Sequence, residues 1–312
     1  MVYFTSKFLL DYPFSPTVAM KKPIHFWMLL SVLMFSLGFI QDTPYETTIR
    51  TWQKKRVENL KSEEGWLNLA GLFWLEEGEN TVGGDNQNDL VFPSQQSADF
   101  LGKIILDKGK VTFVSKREGL VFAGDQANQE TVLFPYDGKP TVLRHGSLRW
   151  FVIQRGEKYA VRLRDLESEY LKNFTGIPTY PIDSRWRLKT RFIPTPGRML
   201  TILDITGRTF QQPSLGKLAF TINGKEYTLE TTGSMERLSV IFADASNKKE
   251  TYGAGRYLEA EKPDENGMIY LDFNKAYNPP CAFTPFATCP LPTKENTLPI
   301  AIPAGEKYAG DH

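Results

Sequence analysis

Residues 218–229 read Leu218-Ala219-Phe220-Thr221-Ile222-Asn223-Gly224-Lys225-Glu226-Tyr227-Thr228-Leu229. Two runs of β-prone residues flank an Asn-Gly pair, and both turn residues accept positive φ, as a two-residue type I′ connection requires. The stretch predicts a tight β-hairpin, and the chain around it repeats the same grammar. Val111-Thr112-Phe113-Val114, residues 200–205 and residues 238–242 are short β-prone runs bounded by Gly, Asp or Asn. A second hairpin is expected to join residues 256–260 to residues 268–273 through Asp264-Glu265-Asn266-Gly267. Helical spacing is convincing only once, where Thr43-Pro44 precedes Tyr45, Ile49, Trp52 and Leu60. The fold class expected is all-β, with two β-sandwich or barrel-like parts preceded by one amphipathic helix.

Composition narrows the function. The 312 residues carry 37 Lys and Arg against 36 Asp and Glu, a net charge of +1. No global field recruits nucleic acid, and there is no basic stripe to bind it. Three histidines leave no room for a His-rich metal site, and no cofactor is expected. No repeat period or low-complexity linker divides the chain.

Lys21 and Lys22 precede an apolar run at residues 26–40, which is secretory in length and short for a membrane span of about 20 residues. Ser36-Leu37-Gly38 offers small residues at the −3 and −1 positions of a cleavage site. We therefore expect a signal peptide at residues 1–38, with the true start at Met20, and an exported product, periplasmic or secreted, with no integral span after cleavage. An uncleaved anchor is the alternative. The segment holds Lys7, Lys21, Lys22 and Asp11, so its removal leaves a nearly neutral chain. The remaining divisions expected are a helix at 39–62, a β-sandwich at 63–166, a connector at 167–184 where Gly176, Pro178 and Pro181 cluster, and a β domain at 185–312.

The carboxy-terminal stretch is unusual. Prolines 279, 280, 285, 290, 292, 299 and 303 forbid a helix and deny a central strand its amide donors. Tyr277, Phe283 and Phe286 bring apolar area worth burying, so the stretch reads as an ordered, proline-stiffened loop that covers a site or straps one end of a domain. Both cysteines, Cys281 and Cys289, lie in it. In an oxidising compartment a disulfide is expected, with free buried thiols and reactive or metal-bound thiols as alternatives; His145 is the realistic base for a thiol.

Several stretches together resemble the domain-of-unknown-function 1684 family of bacterial and archaeal proteins. They are Gly65-Trp66-Leu67, Gly71-Leu72-Phe73-Trp74-Leu75, Val161-Arg162-Leu163-Arg164-Asp165, Thr251-Tyr252-Gly253-Ala254-Gly255-Arg256-Tyr257-Leu258, Leu271-Asp272-Phe273-Asn274, Asn278-Pro279-Pro280-Cys281-Ala282-Phe283-Thr284, Cys289-Pro290-Leu291-Pro292, Glu295-Asn296 and Ala304-Gly305-Glu306-Lys307. The resemblance implies no activity, since that family carries no agreed role. In the first half, Leu75-Glu76-Glu77-Gly78-Glu79-Asn80-Thr81-Val82-Gly83 and Asn88-Asp89-Leu90-Val91-Phe92-Pro93 look like the opening strands of a forkhead-associated sandwich. That resemblance implies a fold and not phosphothreonine reading: Gly84 stands where the family has an arginine, and Ser97 is followed by Ala98-Asp99-Phe100.

Gly253-Ala254-Gly255-Arg256 lacks the Lys-Ser/Thr ending of a phosphate loop, so its glycines are expected to serve packing or unusual φ, with Arg256 on a carboxylate or an anionic ligand. Asp272 and Asn274 alternate around Phe273 and are expected to share a strand face, with Asn278 and Asn296 converging on them. Arg162, Arg164 and Asp165 read as a surface salt-bridge ladder. The leading expectation is a small polar ligand held by Arg256, Asp272, Asn274, Asn278 and Asn296 beside the 281–289 loop. The alternatives are a metal-independent hydrolase of an envelope or extracellular substrate, with Asp272 as general base beside Arg256, and a purely structural or interaction module. No protein partner is specified.

Overall fold

A computed structural model describes residues 42–308 and 310. The expected signal peptide at 1–38, its cleavage site and the candidate start at Met20 lie outside the described residues. The helix α1 (Pro44–Lys61) begins at the proline, whose missing amide costs nothing in a first turn. Ten strands follow: β1 (Leu69–Trp74), β2 (Gly78–Gly83), β3 (Leu90–Val91), β4 (Gly102–Asp107), β5 (Lys110–Ser115), β6 (Phe122–Ala123), β7 (Glu130–Phe134), β8 (Leu143–His145), β9 (Leu148–Arg155) and β10 (Lys158–Asp165). They form two five-stranded sheets, ordered β1-β10-β9-β8-β6 and β3-β2-β4-β5-β7. Both sheets turn apolar residues into one core, in which Phe92 and Phe113 meet Trp150 edge-on.

A short helix α2 (Glu169–Lys172), N-capped by Ser168, interrupts the connector. Eight more strands then build the second half: β11 (Arg187–Pro194), β12 (Met199–Leu203), β13 (Thr209–Pro213), β14 (Gly216–Ile222), β15 (Lys225–Gly233), β16 (Arg237–Phe242), β17 (Arg256–Glu261) and β18 (Met268–Asp272). The β14–β15 hairpin closes through Asn223 and Gly224 at φ 52° and 77° with Ile222 opposite Lys225, as their chemistry demands.

The second expected hairpin is corrected. The turn at Asp264–Gly267 exists, with the Gly267 amide donating to the Asp264 carbonyl, but β18 does not ladder with β17. It pairs with β11, Leu271 opposite Leu188, and the sheet runs β17-β16-β15-β14-β11-β18. Its two ends lie side by side, so the sheet curls into a nearly closed barrel. Phe273 plugs that barrel, fully buried between Phe220, Phe242 and Trp186. A third apolar cluster joins the end of α1 (Leu60, with Trp66 and Leu67) to Phe174, Ala282 and Phe283. Among the described residues no helix is long and apolar enough to cross a membrane.

Candidate functional site

The proline-rich tail is ordered, and its backbone has almost no ladder to satisfy it. Buried amides and carbonyls must then find side-chain partners, and the polar residues singled out from the sequence supply many of them. Gly255 turns at φ 91° where a Cβ would lie 2.6 Å from the Phe242 carbonyl oxygen, so only glycine fits there. It delivers Arg256 into the interior with no exposure at all. The guanidinium donates to Asp244 Oδ2 at 2.7 Å, to the Ile302 carbonyl at 2.9 Å and to the Ala304 carbonyl, pinning the tail to the barrel.

Asp272 and Asn274 do meet, though not by strand alternation. The strand ends at Asp272, which caps a 3-10 turn (Phe273–Lys275) by accepting the Asn274 amide at 3.1 Å. The Tyr45 hydroxyl, from the first turn of α1, donates to the Asp272 carboxylate at 2.9 Å and accepts from Asn274 Nδ2 at 2.9 Å. Burial first, then the Asp272 bond, pushes the Tyr45 phenol well above its ordinary value. Asn274 also brackets the Asp183 backbone at 3.0 and 2.8 Å.

Asn278 sends its amide to Glu306 Oε2 at 2.7 Å and its Nδ2 to the Lys307 carbonyl at 2.9 Å. Asn296 serves a different joint, accepting the Glu230 amide at 2.7 Å and donating to the Glu230 and Ile241 carbonyls. All five expected ligand contacts are therefore buried, and protein groups answer their side-chain polar atoms except Arg256 Nε and Asn278 Oδ1. The structure gathers Arg256 and Asn278 around the 302–307 segment, Asp272 and Asn274 around Tyr45, and leaves Asn296 apart. Asp272 and Arg256 belong to separate networks.

The accessible site lies just above this frame. Arg56 of α1 donates Nε to Glu306 Oε1 at 3.1 Å and Nη2 to the Asn278 carbonyl at 2.8 Å, and its guanidinium stacks 4.7 Å over the Tyr277 ring. Glu306 is 2% exposed. Burial raises its carboxyl above the ordinary range, and Arg56 opposes that rise. One helical turn before Arg56, Trp52 shares the same face and reaches Tyr277 at 6.4 Å between ring centres. Tyr277 in turn lies 5.9 Å from Tyr257.

Trp52, Arg56, Tyr257 and Tyr277, with Trp66, Lys55, Asn59, Arg237, Glu259 and Pro280, line a cleft of about 480 Å³. Trp52, Arg237, Glu259 and Tyr277 also line an adjoining space of about 280 Å³ that ends at Glu236, Glu261 and Lys275. Arg237 and Glu259 pair with each other across the join. Burial lifts the Tyr277 phenol to about 12, so it stays protonated at neutral pH. Cys281 and Cys289 form a disulfide, Cα atoms 6.2 Å apart, next to the Pro280 wall.

Sequence reasoning missed Trp52, Arg56, Trp66, Tyr277 and Glu306 as site residues. The available signal was the Trp52/Arg56 spacing of four, which puts an aromatic ring and a cation on one helical face. The Arg162–Asp165 ladder is also corrected. Arg162 and Arg164 are 6% and 9% exposed, and neither pairs with a carboxylate among the described residues. Arg162 packs over the Trp66 ring, and burial, with Arg155 and Arg164 nearby, lowers its guanidinium to about 10. Among the described residues no three His, Cys, Asp or Glu side chains gather as a metal-binding group.

The family described as "Protein of unknown function (DUF1684)" matches over residues 172–307, which contain the barrel and the tail. An uncharacterized protein of Haloarcula marismortui, solved in solution by NMR, is 30% identical, covering 45% of this chain and 80% of its own, with a TM-score of 0.37. This chain belongs to the DUF1684 family. A structure described under phosphothreonine-dependent FHA domain interactions is 17% identical over 30% of this chain and 92% of its own. Its TM-score is 0.22. None of the curated proteins matches. The DUF1684 match ends at Lys307, one residue beyond the carboxylate that holds Arg56.

Proposed function

We propose that this DUF1684 protein is an exported binding protein that holds a small polar ligand in the cleft between α1 and the barrel. One observation carries the reading: four half-buried aromatic rings, Trp52, Trp66, Tyr257 and Tyr277, line an open cleft together with Lys55 and Arg56. Half-exposed rings offer apolar faces to a sugar-like or planar body, while the cations favour a negative substituent on it. Lys55 has no ion-pair partner among the described residues, so its charge is free to act on solute. Arg256, Asp272, Asn274 and Asn278 enter this reading as the frame that fixes α1 and the tail. Export is supported by the Lys21-Lys22 and apolar 26–40 pattern together with the disulfide.

A hydrolase with Asp272 as base and Arg256 as its neighbour needs both groups to meet one substrate. Tyr45 and Asn274 hold the first, Asp244 and two tail carbonyls the second, so the geometry favours binding. The test is a fluorescence titration of the full chain against uronic acids and aromatic carboxylates, exploiting Trp52 and Trp66 in the cleft. Saturable quenching that is lost in Trp52→Ala and weakened about tenfold in Lys55→Glu supports the reading, a change of about 1.4 kcal/mol. Quenching that survives both changes refutes it.

A further inference from the structure

A second cleft, of about 700 Å³, lies on the amino-terminal sandwich and has no part in the reading above. Its floor is the outer face of the sheet β1-β10-β9-β8-β6. The strand register places Arg144 of β8 opposite Arg149 of β9, and Arg149 opposite Arg164 of β10. Three guanidinium-bearing residues therefore stand in one cross-strand file on one face. Directly opposed residues have Cβ atoms about 5 Å apart, and like charges so placed destabilise a sheet. A fold that keeps such a file needs something to offset it.

The resident counter-charges are weak. Asp125 pairs with Arg144 at 3.3 Å and Glu63 with Arg149 at 3.0 Å, but the Asp125 and Glu63 side chains are largely in solvent, where ion pairs contribute little. Arg164, 9% exposed, donates to the Gly65 carbonyl and to Asn68 Oδ1 at 2.7 Å, and the exposed carboxylates of Glu64 and Glu63, which share the lining, act on it without an ion-pair contact. Each guanidinium is also braced by a backbone carbonyl: Arg144 by Gly124 at 2.8 Å, Arg149 by Gly146 at 2.8 Å, Arg164 by Gly65. A guanidinium has five N–H donors, so each braced group keeps donors to spare. Exposed Lys139 adds a fourth cation to the lining, and Phe151, Pro140 and Val142 add an apolar wall.

We propose that this cleft binds a compact, multiply charged oxyanion: a small molecule presenting two or more carboxylate or phosphate groups spaced to match the arginine file. A single anionic group neutralises one guanidinium and leaves the file repulsive. Two groups about 5 Å apart answer adjacent members, with the planar forks favouring oxyanion geometry. Displacing the solvent-exposed carboxylates of Glu63 and Asp125 costs little for the same reason that they stabilise little.

The experiment is calorimetric titration of the full, oxidised chain at low ionic strength, with citrate and pyrophosphate as multivalent probes and acetate and inorganic phosphate as controls. The two multivalent probes separate carboxylate from phosphate preference. The expected result is that at least one of them binds tenfold or more tighter than its control, and that added salt weakens it. Lys139→Ala and Arg144→Gln, on the exposed rim of the cleft, should each weaken that binding about tenfold. Arg164 is buried, so its variants report on folding too; the rim variants, with circular dichroism unchanged, keep the result unambiguous. Absence of binding by both multivalent probes, affinity no better than the controls, or affinity unchanged in the two rim variants each overturns the proposal.

Discussion

Replacing Arg256 by Met should be among the most damaging single changes in the carboxy-terminal half. The guanidinium has no solvent exposure, and neither does its partner Asp244. Removing one member of a buried pair leaves the other charge uncompensated, at a cost of about 3–5 kcal/mol. The Ile302 and Ala304 carbonyls lose their donor as well, and a buried hydrogen bond contributes about 1 kcal/mol each. A loss of roughly 5 kcal/mol follows, against a total stability of about 5–15 kcal/mol. The assay is urea unfolding followed by tryptophan fluorescence and far-ultraviolet circular dichroism in parallel, so that coincident transitions license a free energy. Adding Asp244→Asn to Arg256→Met removes the orphaned charge and should recover at least about 1 kcal/mol. A loss below about 1 kcal/mol for Arg256→Met, or a double variant whose cost is the plain sum of the two single costs, would refute the fastening role.

Two further outcomes follow from the same frame. Replacing Cys281 and Cys289 together by Ala should cost about 2.5 kcal/mol, the chain-entropy value for ends 8 residues apart; an unchanged urea midpoint contradicts it. Burial raises the Glu306 carboxyl in the folded chain, so folding retains that proton more readily than the unfolded state does. The resulting contribution is complete below the ordinary carboxylate value of about 4.3 and is lost as pH climbs to the raised folded value. The stability of the wild type relative to Glu306→Gln should therefore decline from acid toward neutral pH, and a difference flat across that window is the contrary result.

The fold was legible wherever local chemistry decides it. Asn223-Gly224 specified its hairpin because both residues tolerate positive φ, and Pro44 marked the start of α1. The partner of β18 was not legible: Asp264–Gly267 forms its turn, but barrel closure sends the strand to β11, some 80 residues earlier, through contacts no local window contains. The buried polar residues were visible as unusual, and their burial followed from the tail's missing ladder. Their role as a frame was hidden because Arg256 answers carbonyls at 302 and 304, and Asp272 answers a tyrosine at 45. The cleft was hidden for the same reason. Trp52 and Tyr277 meet because Tyr45 reaches Asp272 and Arg56 reaches Glu306, contacts that span 227 and 250 positions of sequence.

The most direct test of the binding reading is to equilibrate the intact protein with an extract of its host's envelope fraction and identify retained small molecules by native mass spectrometry. An acidic, ring-containing compound should be held by the wild-type chain and be absent from Trp52→Ala and Lys55→Glu. Retention of the same compounds by all three chains, or of none by the wild type, contradicts it.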